Sequence, residues 1–120
     1  DKRLANKARV FIPRPSHYKK DPLAVSVDYL KRKGLHQDQI SEQHILIISE
    51  KNGASRAYAI EQPIFKSYKQ GQLTDQNNQR WEVSEAALIG PNGQRFSRLP
   101  AHEVFWFAWV NVFPDTRIVD

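Results

Sequence analysis

The chain has no cysteine, which excludes disulfides, thiolate catalysis, iron–sulfur clusters and cysteine-ligated zinc together. The compartment stays open, because a disulfide-free chain of this size can live anywhere. Its most apolar run, Val104–Phe113, has ten residues, whereas a membrane-spanning helix needs about 20. No serine sits in a Gly-x-Ser-x-Gly turn, so no nucleophile–base–acid triad is legible. The five glycines lie mostly in turns and form no phosphate loop. None of the four histidines, His17, His36, His44 and His102, is spaced i, i+4 from another, and no His-x-His occurs. The expectation is therefore no catalytic set, no metal and no cofactor. No signal peptide is present within these residues, and the start at Asp1 without Met suggests a processed or trimmed chain. Internal repeats and low-complexity segments are absent.

What the chain does have is lopsided charge. Residues 1–33 carry ten Lys and Arg against three Asp, whereas residues 34–120 carry eight against ten Asp and Glu. The basic set is Lys2, Arg3, Lys7, Arg9, Arg14, Lys19, Lys20, Lys31, Arg32 and Lys33. Residues 1–20 read as a basic N-terminal arm in which Leu4, Ala8 and Phe11 share a short face. Pro13 and Pro15 then force an extended path. Such an arm reaches nucleic acid or anionic lipid; the plainer reading is a solvated, mobile terminus. Residues 21–120 read as one α+β domain, since 120 residues at 40% hydrophobic and 26% charged make one ordinary globular unit.

The domain is expected to wrap around its tail. Val104–Phe113 holds five of the chain's nine Phe and Trp residues and one polar side chain, Asn111. Burying those rings contributes at most about 10 kcal/mol. Phe105, Trp106, Trp109, Val112 and Phe113 form a helical stripe, with Pro100 in the first turn, Glu103 near the positive end and Pro114 as the stop. A strand with Val104, Trp106, Ala108 and Val110 on one face is the alternative; helix is preferred.

The body reads mostly as strands. Asn52-Gly53 between His44–Ser49 and Ser55–Ile60 is a hairpin signal, and the unbroken Ile45–Ile48 run suggests a central strand. Pro63 demotes the following segment to an edge or turn. Trp81–Val83 reads as strand, and Ala86–Ile89 pairs across Gly90-Pro91-Asn92-Gly93 with Arg95–Leu99. Asp21–Gly34 reads as a helix with Pro22 at its first position and Gly34 at its cap, although its alternation also permits a strand. Lys31, Arg32 and Lys33 then sit in the last turn, where capping competes with phosphate binding as their role. The resulting fold is a small antiparallel sheet of about four to six strands packed against a C-terminal aromatic helix.

Candidate ligand-binding residues are His102, Glu103, Trp106, Trp109 and Asp115. His102–Glu103 is the only adjacent imidazole–carboxylate pair, and at a helix N-terminus the dipole would favour a neutral His102. Asn111 reads as a buried, hydrogen-bonded side chain. Asp115 reads as a turn former, with Arg56, Arg98 and Arg117 as candidate partners.

Arg56-Ala57-Tyr58, Trp81-Glu82-Val83 with the Gly-Pro-Asn-Gly turn, Leu99-Pro100-Ala101-His102, and Phe105-Trp106-Phe107-x-Trp109 running into Pro114-Asp115-Thr116 resemble a bacterial domain family of unknown function. The resemblance covers roughly residues 45–118, and the tail is its specific part. The resemblance implies a tryptophan-rich helix before Pro-Asp-Thr and an exported, envelope-associated, periplasmic setting. Longer members carry a Cys-Pro-x-Cys centre that this chain lacks, and Ala59 stands where an Arg-Ala-Tyr-Pro segment would have proline. No metal or redox role therefore carries over.

Three functional expectations follow. The first is a non-catalytic binding or accessory domain of a bacterial envelope protein, with a protein partner or small ligand. The second is a nucleic-acid or anionic-surface binder using the basic third. The third is a small-ligand or metal pocket at His102, Trp106 and Trp109.

Overall fold

The computed structural model describes residues 2–120; Asp1, the first residue of the expected arm, lies outside the described residues. The elements are β1 (Arg9–Pro13), β2 (Leu23–Ser26), α1 (Val27–Lys33), β3 (Leu35–Ile40), β4 (Gln43–Ser49), β5 (Ser55–Ile60) and β6 (Phe65–Lys69). They continue as β7 (Gln72–Asp75), β8 (Arg80–Val83), β9 (Ala87–Ile89), β10 (Arg95–Leu99), β11 (Ala101–Phe105), α2 (Trp106–Val110) and β12 (Arg117–Val119). Strand makes up 48% of the chain and helix 10%, in one sheet of eight strands and one of four. This overturns the expected α+β fold of one small sheet with an aromatic helix: the chain is mostly β. The undercount has a physical cause. Several strands are only three or four residues long, and two others lie where the sequence pattern predicts an arm and a helix.

The larger sheet runs β3-β4-β5-β10-β9-β8-β7-β6 with every pair antiparallel. Its two edges approach each other, because the Phe65 amide donates to Gln37 Oε1 at 2.9 Å. The sheet is thus an almost closed barrel. Leu46, Ile48, Tyr58, Ile60, Phe65, Leu73, Trp81 and Leu88 form one of its buried clusters. Trp81 stacks on Phe96 at 5.3 Å and meets Phe65 edge-on at 5.2 Å. Glycine is required at position 90, where a Cβ would come within 2.7 Å of the Trp81 ring. On β4, Ile45 and Ile47 belong to a different cluster from Leu46 and Ile48. Both faces of β4 are therefore buried, which is why its run has no polar position.

The smaller sheet runs β11-β1-β2-β12, with β12 parallel to β2. It is a middle layer. Phe11, Leu23 and Val25 cluster with Ile40, Ile45, Ile47, Ala57 and Leu30 of α1. Val10, Ile12 and Ala24, which alternate with them, pack under Trp106, Trp109 and Val110.

Residues 9–13, inside the segment expected to be a basic arm, are thus a strand between β11 and β2, and Val10, Phe11 and Ile12 are at most 3% exposed. Three consecutive apolar residues between Arg9 and Pro13 carry enough burial to fix the strand. The preferred tail helix is also corrected. Ala101–Phe105 pairs in register with β1, and only Trp106–Val110 is helical. No side chain caps α2; instead the Trp106 and Phe107 amides donate to the carbonyls of Ala8 (2.8 Å) and Asn6 (3.0 Å). The helix expected from Asp21 begins at Val27, since the fully buried Leu23–Ser26 is claimed by the sheet. Its end is as the glycine suggests: Gly34 has φ 75° and donates to the Leu30 carbonyl at 2.8 Å.

Candidate functional site

Three chain segments converge at the C-terminal end of α1. The helix brings Lys31, Arg32 and Lys33, the end of β4 brings Ser49, Glu50 and Lys51, and the β6–β7 turn brings Tyr68, Lys69, Gln70 and Gly71. Together they line an open cleft of about 560 Å³. Gly34 makes the convergence possible. Its carbonyl accepts from the Ser49 amide at 3.0 Å, and a Cβ there would lie 3.2 Å from the Tyr68 carbonyl in a left-handed backbone. Lys31 reaches across to the β4–β5 turn, with Cε 3.2 Å from where a Cβ of Gly53 would stand.

The lining holds five cations against one carboxylate, Glu50. Glu50 is already engaged: Arg56 donates to Oε1 at 3.0 Å, and the Tyr68 hydroxyl donates to the same oxygen. Burial, then that hydrogen bond and the charge of Glu50, push the Tyr68 hydroxyl up to about 12, so it remains a donor at neutral pH. Helix capping accounts for Lys31, Arg32 and Lys33. It does not account for Lys51 and Lys69, which lie at hairpin turns. A mutually repelling set of this kind is suited to anionic groups.

The basic residues named from the sequence do not form one patch. Lys31, Arg32 and Lys33 enter the cleft; Arg32 also lies over the Tyr29 ring at 5.7 Å. Arg3 lies over the Trp106 ring at 5.2 Å and donates to the Thr116 and Pro114 carbonyls. Arg9 lies over Phe105 at 5.0 Å and pairs with Glu103 at 3.4 Å. Lys2, Lys7 and Lys19 are exposed, and Arg14 is half-buried with Nε unpartnered. Lys20 lines a second cleft of about 470 Å³ with His17, Ser41 and Glu42.

The tail residues come together as packing. His102 lies on strand β11, 5.8 Å from the Trp109 ring, not at a helix terminus. Burial and then the charge of Arg14 hold its imidazole below its ordinary value. Glu103, which pairs with Arg9, does not offset this. Trp106 is fully buried and Trp109 is 6% exposed, so neither wall of either cleft is theirs. Trp109 Nε1 donates to Thr116 Oγ1 at 2.8 Å, which in turn donates to the Phe113 carbonyl. Thr116, rather than the exposed Asp115, thus organises the end of the tail. The three partners considered for Asp115 are occupied elsewhere: Arg56 by Glu50, Arg98 by the Glu85 carbonyl and Arg117 by Asp38. Asn111 is exposed at the end of α2, not buried. Among the described residues, no three of His, Asp and Glu gather as a metal-holding group.

Sequence reading missed Lys51, Lys69, Glu50 and Tyr68. Lys51 and Lys69 each stand two residues before a turn glycine, Gly53 and Gly71, but nothing in the order of residues says which turns share an end of the barrel.

The fold and cleft together define a mostly β domain with a polybasic opening at one end of an almost closed barrel. The chain belongs to the family described as a protein of unknown function (DUF3179), whose model matches residues 1–116. No curated protein and no solved structure matches the chain. No helix among the described residues is long and apolar enough to cross a membrane.

Proposed function

We propose that this chain is a non-catalytic binding domain of the bacterial envelope, and that the cleft between α1, β4 and the β6–β7 turn receives the anionic groups of its partner. The observation that carries the reading is the convergence of Lys31, Arg32, Lys33, Lys51 and Lys69 from three separate segments on one opening. The non-catalytic part is supported by a sequence with no legible nucleophile–base–acid arrangement. The envelope setting is supported by the resemblance carried by the tail. The pocket reading at His102, Trp106 and Trp109 is less well supported, because both tryptophans are buried among their own neighbours.

Inorganic polyphosphate serves as a chemically plain probe. Its affinity should fall steeply with salt, and Lys51→Gln/Lys69→Gln should weaken it. The same double variant should flatten the log–log salt slope by roughly 0.7–0.9 for each lysine that neutralises a phosphate, as with nucleic-acid phosphates. An unchanged slope and affinity in the double variant would show that the cleft does not receive the anion.

A further inference from the structure

Large apolar side chains that face solvent are few among the described residues: Ile64, Phe105, Phe107 and Val112. Two of them form a pair. Phe105 is 40% and Phe107 43% exposed, and their rings stack at 5.9 Å. They are held apart from the aromatic core by the break between β11 and α2. Trp106, between them, is fully buried while its two neighbours point outward. The backbone there is pinned by the N-terminal segment, through the bonds from Trp106 and Phe107 to the Ala8 and Asn6 carbonyls. That pinning places exposed Lys7 between the two accepting residues. It also sets Arg9 opposite Phe105 in register, with its guanidinium over the ring.

We propose that the stacked Phe105–Phe107 pair, flanked by Lys7 and Arg9, is an interfacial anchor that seats this corner of the domain on an anionic bilayer surface. Amphipathic surfaces of this composition bind the headgroup boundary by burying aromatic rings while Lys and Arg meet anionic lipid. At ~200 Å² per Phe side chain, the exposed fractions of the two rings amount to under ~200 Å², a small apolar contact set among cations. Charge argues for anionic lipid: among the described residues, positions 2–9 carry Lys2, Arg3, Lys7 and Arg9 and no acid, and Glu103 on β11 is already paired with Arg9. The anchor is independent of the cleft, since the two share no residue.

The test is co-sedimentation of the protein with vesicles of phosphatidylglycerol and phosphatidylcholine, against pure phosphatidylcholine. The wild type should bind the anionic vesicles and bind the neutral ones at least tenfold more weakly. Phe105→Ser/Phe107→Ser should lower anionic-vesicle binding at least tenfold while retaining the wild-type polyphosphate affinity. Conversely, Lys51→Gln/Lys69→Gln should leave most vesicle binding in place. If the double Phe variant fails to fold, Phe107→Ser alone serves, since the Phe107 ring stacks on exposed Phe105 and not on the core; it should lower binding at least threefold. Wild-type protein that ignores anionic vesicles overturns the proposal, as do Phe variants that bind like wild type. Phe-dependent self-association in the absence of lipid also overturns it, assigning the pair to a second copy instead.

Discussion

Arg117 and Asp38 meet in a two-pronged ion pair, with both guanidinium nitrogens donating to the two carboxylate oxygens at 3.1 Å. The pair ties β12, in the four-stranded sheet, to β3, at the edge of the barrel. His36 Nε2 lies 2.7 Å from Asp38 Oδ2 and Nδ1 lies 3.2 Å from the Tyr29 hydroxyl. An ionised carboxylate only accepts, so Nε2 donates to Asp38; in the neutral ring Nδ1 then accepts from Tyr29. Burial pushes the Asp38 carboxyl up, but the bonds from His36, Arg117 and the Gln39 amide outweigh it and hold it well below the usual carboxylate range. A carboxyl depressed in the folded state stabilises above its unfolded value of about 4 and loses that contribution as pH falls below it. Asp38→Asn should therefore cost about 1–2 kcal/mol at neutral pH, allowing for the exposure of Arg117. Urea midpoints between neutrality and strong acid should fall less steeply for Asp38→Asn than for the parent.

Deleting residues 1–20 should abolish folding, not merely trim a terminus. The deletion removes β1 from between β11 and β2 and takes away the carbonyls that receive the first amides of α2. Far-ultraviolet circular dichroism would check it; a native spectrum with a near-parental melting temperature would mean that the sheet does not need β1.

Trp106→Ala should cost about 3–5 kcal/mol, as the loss of a fully buried large aromatic does. Thr116→Val keeps the shape but leaves the buried Trp109 N–H without its acceptor, at about 1–3 kcal/mol. Asp115→Ala, at an exposed position, should stay within about 0.5 kcal/mol. Chemical denaturation of the three variants would rank them; equal costs at 115 and 116 would contradict the assignment.

Asp75 is the barrel's buried carboxylate, 1% exposed, and accepts from Trp81 Nε1 at 3.0 Å and from the Asn77 and Gln79 amides. Burial pushes it up, but those three bonds and the charge of Lys66 leave it below its ordinary value. Asp75→Ala strands all three donors and should cost about 2–4 kcal/mol. Asp75→Asn should lose less. The same sign applies as at Asp38: Asp75 stabilises above about pH 4 and ceases to on acidification. A loss confined to alkaline pH would contradict it.

The legible parts of this fold are those whose signals are local. Asn52-Gly53 lies between strands that pair from Ser49–Ser55 to His44–Ile60, and the Gly34 cap is visible as a glycine after three cations. Less legible is everything decided by a distant partner. Ala101–Phe105 reads as the first turn of the tail helix from Pro100 and Glu103, yet β1 lies ready to pair with it across nearly ninety residues of chain, and tertiary pairing overrides local signals. His102 suggests a helix-dipole effect only while its strand partner, Ile12, is out of sight. In the cleft, Lys31, Arg32 and Lys33 are visible as a run, whereas Lys51 and Lys69 acquire meaning only when two hairpin turns are brought to the same end.

Lys51 and Lys69 of the cleft should be dispensable for stability. Lys51→Gln/Lys69→Gln relieves mutual repulsion and should leave the melting temperature unchanged or slightly raised. Tyr68 behaves differently: raised to about 12, its protonated hydroxyl stabilises below its unfolded value of about 10 and loses that contribution as pH climbs through 12. Tyr68→Phe should therefore flatten the alkaline loss of stability, which a tyrosinate absorbance titration alongside denaturation would show.

Amide chemical-shift mapping during a polyphosphate titration tests the role of the cleft most directly. Saturable shifts are expected at Gly34, Lys51, Lys69 and Gly71, reached only at higher polyphosphate concentration in Lys51→Gln/Lys69→Gln, with the amides of Lys19, Lys20 and Phe107 unmoved. Shifts centred on residues 2–20 or on the tail, with the four cleft amides silent, would contradict it.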